Sequence, residues 1–217
     1  VSNMELVVVG EQLPYLGYPM QIPGEIDPAY YDIYEGGSAK GISYEDDNQK
    51  EGGFRNDETA DASNSQKQGH IISNIAAGEW LEYTVDVQQA GLYKVEIAFS
   101  SDNAAGGGPI QLELNNDTLV TGIKVTSTGD WSTFNTKTVN DVPFKKGIQV
   151  LRVRFIDGGF NLGKIKFTYS AVLPYSQPEA NAGENTLVVQ PANSAQLNGS
   201  LSTNGGTGTL TYAWKQV

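Results

Sequence analysis

The chain of 217 residues contains no cysteine, and that absence removes disulfide frameworks, thiolate zinc sites and cysteine nucleophiles together. It contains one histidine, His70, which excludes a His-rich metal site and leaves a Ser-His-Asp triad with little support. Positive charge is scarce: 14 Lys and Arg stand against 25 Asp and Glu, a formal net charge of −11. A surface of that sign repels phosphate, and no basic cluster offsets it, so neither nucleic acid nor an anionic membrane is an expected partner. No apolar run approaches the ~20 residues that a spanning helix needs, and no membrane insertion is expected. Val1 is followed by no charged stretch and long apolar core, so the sequence is read as starting after any secretory leader. No segment carries a convincing 3.6-residue period.

What the sequence does carry is alternation. In Glu79–Val87, Leu81, Tyr83, Val85 and Val87 fall on one face, and Trp80, Glu82, Thr84 and Asp86 on the other. Tyr93–Phe99, Ile110–Leu114, Leu151–Phe155 and Ile165–Tyr169 repeat the scheme, with Gly, Asn, Asp or Pro at their borders. The 25 glycines suit a fold with many tight turns. These features predict an all-β chain, a β-sandwich of antiparallel sheets. Residues 36–69, 100–109 and 126–130 read as loops, where binding residues concentrate.

The flanks read as neighbouring modules. Residues 1–21 are expected to end a preceding module or linker, with Met4–Val9 as a last strand. Residues 22–170 form the sandwich, 171–183 a polar linker, and 184–217 a partial β domain. Leu-Pro-Tyr occurs on both flanks, at Leu13–Tyr15 and Leu173–Tyr175.

Trp80 is the anomaly of the alternation. An indole on a polar face either stacks on the C–H face of a pyranose or is covered by another part of the chain. Trp131, after the turn Ser127–Asp130, is a platform at a loop–strand junction or a core anchor. A glycosidase needs two carboxylates about 5–10 Å apart. Glu79 and Glu82 lie three apart on a strand and face opposite ways, and the runs Glu45–Asp47 and Asp57–Glu58 read as solvated loops.

The strings at 22–32 (IPGEIDPAYYD), 51–58 (EGGFRNDE), 78–87 (GEWLEYTVDV), 90–101 (AGLYKVEIAFSS), 110–115 (IQLELN), 127–134 (STGDWSTF), 151–155 (LRVRF) and 158–167 (GGFNLGKIKF) occur in an order that resembles the carbohydrate-binding modules of family 6. The resemblance covers roughly 22–169 and implies a jelly roll with up to two sugar clefts. For the cleft among the loops it implies Trp131 and Asn161; for a cleft on a concave sheet face it implies Trp80. Where such modules carry a second loop aromatic this chain has Asn74, so Tyr44, Phe54 or His70 are candidates to replace it. Such modules also bind a structural calcium through two glutamates and a late acidic residue. Here only Asp27 keeps a carboxylate, and Ala29 and Gly163 stand at the other positions, so calcium is disfavoured. The C-terminal strings ANAG and LTYAWKQV resemble the start of a polycystic-kidney-disease-type, immunoglobulin-like domain.

The resulting expectation is a non-catalytic module, secreted or on a bacterial cell surface, that holds a linked glycoside hydrolase on a β-glucan such as laminarin, or on xylan or agar. The alternatives are a structural or adhesive segment of a bacterial surface protein, and a chain that itself hydrolyses a glycosidic bond.

Overall fold

The computed structural model describes residues 10–46 and 52–173, together with 181, 198–203 and 211. Its strands are β1 (Gln12–Leu13), β2 (Met20–Ile22), β3 (Gly24–Ile26), β4 (Ile33–Tyr34), β5 (Tyr44–Glu45), β6 (Ala62–Ser65), β7 (Gly69–Ile72), β8 (Trp80–Val87), β9 (Gly91–Ser100), β10 (Gly107–Leu114), β11 (Asp117–Val125), β12 (Asn135–Phe144), β13 (Gly147–Phe155) and β14 (Asn161–Ala171). They build a β-sandwich jelly roll. One sheet runs β11-β10-β13-β8-β2, with β5 also on β8; the other runs β12-β9-β14-β7-β6, with β3 also on β14. All of these pairings are antiparallel except β2 with β8. No helix of the described residues is long and apolar enough to cross a membrane.

Alternation supplies the core. Leu81, Tyr83, Val85 and Val87 of β8 are buried with Leu151, Val153 and Phe155 of β13. Tyr93, Val95, Ile97 and Phe99 of β9 are buried with Leu162, Ile165 and Phe167 of β14. Each such side chain contributes roughly 1.5–3 kcal/mol on leaving water. Four of the five segments read from alternation lie wholly within observed strands, and the fifth, Glu79–Val87, does so from Trp80 onward. β11 and β12 lie at the sheet edges, and much of their surface is exposed, so their apolar pattern is thin.

The chain divides into two compact units, Val1–Val172 and Leu173–Val217. Residues 10–21, expected to belong to a preceding module or linker, lie in the first unit. β1 pairs with β4, β2 pairs with β8, and Tyr15 stacks on Tyr30 with centroids 5.1 Å apart. The expected strand at Met4–Val9 falls outside the described residues. So does most of the expected immunoglobulin-like segment. In the second unit Ser202 Oγ accepts from Asn181 N at 2.9 Å, and Ser202 N donates to Gly199 O at 2.9 Å.

Candidate functional site

Four loops meet at one end of the sandwich. They precede β8, follow β9, precede β12 and precede β14. Ser101, just past β9, ties three of them: its amide donates to Thr128 Oγ1 at 2.9 Å, its carbonyl accepts from Thr128 N at 2.8 Å, and its hydroxyl donates to Gly159 O at 2.6 Å. The fourth loop presses on Gly158, where an added Cβ would sit 1.9 Å from Ile75 O. Only glycine permits that approach.

The cleft between these loops has a volume of 490 Å³ and is lined by Ser73, Asn74, Ile75, Trp131, Gly159, Phe160 and Asn161. Trp131 is 48% exposed, which for an indole is costly unless something is to cover it. Its backbone is pinned from below. Ser100 Oγ donates to Trp131 O at 2.7 Å, and Asn161 Nδ2 donates to Trp131 O at 3.1 Å and to Ser100 Oγ at 3.2 Å. Because the Trp131 carbonyl can only accept, it fixes which way the Asn161 amide points. Asp130 shapes the turn that carries the indole: its carboxylate accepts from the amides and hydroxyls of Ser132 and Thr133 at 2.6–2.8 Å. Those bonds, the Thr133 hydroxyl first, pull the Asp130 carboxyl down to about 2.

Trp131, Asn161 and Asn74 thus come together. Asn74 holds a left-handed backbone, φ 48°. Tyr44 and Phe54 are not part of this cleft. Tyr44 is 1% exposed, because β5 turns it inward where it packs 5.1 Å from the Tyr31 ring, and its hydroxyl accepts from Thr59 N at 3.0 Å. Phe54 belongs to a separate aromatic cluster, with centroids 4.0 Å from His70, 6.1 Å from Tyr15 and 6.2 Å from Tyr30. His70, the third candidate replacement, lies in that cluster too.

Trp80 lies on the outer face of the first sheet, half-buried, as the alternation predicts. Its surroundings there are charged. β8 and β13 pair Trp80 with Arg154 and Glu82 with Arg152; β13 and β10 pair Arg154 with Gln111 and Arg152 with Glu113. The Arg152 guanidinium lies over the indole, 4.3 Å from its centroid, and donates from Nε to Glu82 Oε1 at 2.8 Å. One face of Trp80 therefore already carries a cation. A shallower groove beside it, of 400 Å³, is lined by Gln12, Ile42, Glu82, Asn115, Asn116, Val150 and Arg152.

The structure also brings together a carboxylate pair that spacing does not reveal. Gln12 Nε2 donates to Asp32 Oδ2 at 2.9 Å and to Glu82 Oε2 at 3.0 Å. Burial raises the Asp32 carboxyl despite the bonds from Thr84. Yet Asp32 is fully buried and accepts from Thr84 N at 2.9 Å and Thr84 Oγ1 at 2.7 Å, so it reaches no substrate. It is a strut between the N-terminal segment and β8.

The residues at the expected calcium position do not fit the ion. Asp27 Oδ2 meets His70 Nδ1 at 2.9 Å, and its Oδ1 accepts from Ala29 N at 3.1 Å. A side chain at Gly163 would meet Gln68 Oε1 at 2.9 Å. No group of three or more metal-ligating side chains is found among the described residues. Calcium needs about six to eight oxygens, and of the three expected positions only Asp27 carries a carboxylate, already engaged by His70 and the Ala29 amide.

Comparison with known proteins agrees with this architecture. Residues 47–169 match the family described as carbohydrate binding module (family 6). A module from Clostridium stercorarium, solved in complex with cellobiose, superposes with a TM-score of 0.54 at 19% identity, covering 71% of this chain and 99% of that one. The module of Cellvibrio mixtus lichenase 5A, solved with cellotriose, is 26% identical over 51% of this chain and 87% of that one, with a TM-score of 0.46. An exo-β-D-glucosaminidase of Amycolatopsis orientalis is 29% identical over 99 residues, which are 45% of this chain and only 9% of that enzyme. The sandwich, the loop cleft and the matched span lead to one assignment: the chain belongs to the family 6 carbohydrate-binding modules.

Proposed function

We propose that the Trp131 cleft is the principal sugar site, and that the chain is the secreted, bacterial anchor of a glycoside hydrolase on a polysaccharide of the β-glucan, xylan or agar class. The observation that carries this reading is the pairing of a half-exposed indole with Asn161 on a backbone tied down by Ser100, Ser101 and Thr128. A pyranose stacks its C–H face on Trp131 while Asn161 and Asn74 meet its hydroxyls. Cello-oligosaccharides bound by the Clostridium and Cellvibrio relatives are in keeping with such a ligand. The module changes local concentration rather than a reaction barrier. Trp80 is the secondary candidate, because Arg152 occupies one of its faces.

Affinity electrophoresis against laminarin, xylan, agarose and a soluble cellulose derivative tests the proposal. Retention by at least one polymer is expected, with loss in Trp131→Ala and little change in Trp80→Ala. Retention that survives Trp131→Ala refutes the assignment. Absence of any retention favours the structural or adhesive alternative.

A further inference from the structure

The charges around the Trp131 cleft are of one sign. The segments that enclose it, residues 73–79, 100–109, 126–134 and 156–161, contain Glu79, Asp102, Asp130 and Asp157 and no Lys, Arg or His. Glu79 is buried and turned to its own loop, where Oε2 accepts from Ala76 N at 2.9 Å. Asp102, Asp130 and Asp157 are exposed, and none pairs with a cation among the described residues. Asp130 precedes the indole directly, Asp157 opens the loop that ends in Asn161, and Asp102 follows the Ser101 clamp. The four hydrogen bonds to Asp130 keep it ionised through the physiological range.

A second, independent feature points the same way. Asn161 is 7% exposed and lines the cleft. Both hydrogens of its Nδ2 are spent on Ser100 Oγ and Trp131 O. What it offers a ligand is Oδ1, an acceptor with no protein partner among the described residues. An acceptor open to the cleft is met by a donor from the ligand. With an open acceptor in the cleft and three exposed anions on the loops that enclose it, the best complement is a donor that carries positive charge.

We propose that the cleft selects an amine-bearing β-glucan, a polymer of 2-amino-2-deoxyglucose units, over the neutral and the acidic glucans of the same linkage. This rests on the Trp131 cleft being the sugar site and names its ligand class. Stacking on Trp131 is common to all these sugars. The ammonium adds attraction to the rim, and a uronate or sulfate adds repulsion. Three exposed carboxylates near one ammonium favour it about 3- to 10-fold at low ionic strength, and the preference fades as the Debye length shortens.

The test is calorimetric titration of the whole chain with the glucosamine hexamer, the N-acetylglucosamine hexamer and cellohexaose. It is run at about pH 5.5, well below the titration range of amines, in roughly 20 mM and 500 mM salt. The expected result is tighter binding of the glucosamine hexamer at low salt, with most of that advantage lost at high salt and in the Asp102→Asn/Asp157→Asn double variant. Those two aspartates lie outside the Asp130 turn, so the cleft survives their neutralisation, and unchanged cellohexaose binding in the double variant verifies this. Equal or tighter binding of cellohexaose at low salt overturns the inference. So does a glucosamine advantage that salt and the double variant leave intact. If cellohexaose binds at low salt at least as tightly as the glucosamine hexamer and Trp131→Ala abolishes that binding, the cleft reading stands while the amine preference fails. If no sugar responds to Trp131→Ala, both fail.

Discussion

Replacing Arg152 by methionine removes one charge from the outer face of the first sheet while keeping a long side chain there. In the wild type the guanidinium bridges two carboxylates. It lies 2.5 Å from Glu82 Oε1 and 3.6 Å from Glu113 Oε2, with side-chain exposures of 20% for Arg152 and 7% and 8% for the glutamates. Breaking a buried pair costs about 3–5 kcal/mol, and an exposed pair about 0–1 kcal/mol. This case lies between them. Glu82 keeps the bond from Gln12 at 3.0 Å, and Glu113 keeps Arg154 at 3.0 Å and Gln111 at 2.7 Å. The expected loss is therefore about 2 kcal/mol at pH 7, a fall in Tm of roughly 4–8 °C for a unit of this size. Urea titrations of both proteins at pH 7 measure it. A variant within about 0.5 kcal/mol of wild type would show that Arg152 is not the counter-charge described here. Glycan retention through Trp131 should be unchanged throughout.

Asn161→Asp places a carboxylate against the Trp131 carbonyl at a residue that is only 7% exposed. We expect a loss of about 2–4 kcal/mol in urea unfolding, together with loss of glycan retention. Gly158→Ala cannot keep the approach to Ile75 O, so the cleft wall must shift; glycan affinity should fall at least 10-fold, read by titration, while far-UV circular dichroism keeps its β signature. The Asp130 carboxyl lies below its unfolded value, so its contribution to stability is complete above about pH 4 and is lost as pH falls toward 2. Quenching of Trp131 by acrylamide, in a background lacking Trp80 and Trp214, should therefore stay constant to about pH 4 and change below it. Asp130→Ala should abolish that transition.

The long strands β8, β9, β10, β13 and β14, which pair on both sides, were readable because each carries an alternating stretch that burial on one face enforces. The short strands β1 to β7 were not. Segments of two to four residues carry no period, and their places are set by partners far along the chain, such as Ile26 opposite Ile165. Trp80 was located by alternation alone. Its neighbour Arg152 was not, because the registry of β13 against β8 is a tertiary fact. Trp131 was ambiguous from local pattern, and the resemblance put it with Asn161. Their meeting depends on Ser100 and Ser101, whose hydroxyls look like ordinary loop chemistry in the sequence. Tyr44 misled because it sits beside an acidic loop, yet it pairs across from Leu81 and shares its inward face.

The left-handed backbone at Asn74 limits how this cleft can diversify. Asparagine tolerates φ 48°, whereas an aromatic residue there would carry a conformational cost of roughly 1 kcal/mol or more. A single substitution therefore cannot simply restore a two-sided clamp around a sugar ring, since the peptide geometry must change along with the side chain. The open wall is written into the main chain, and descendants of this module have an easier path to new ligands through the polar and charged rim than through a second ring.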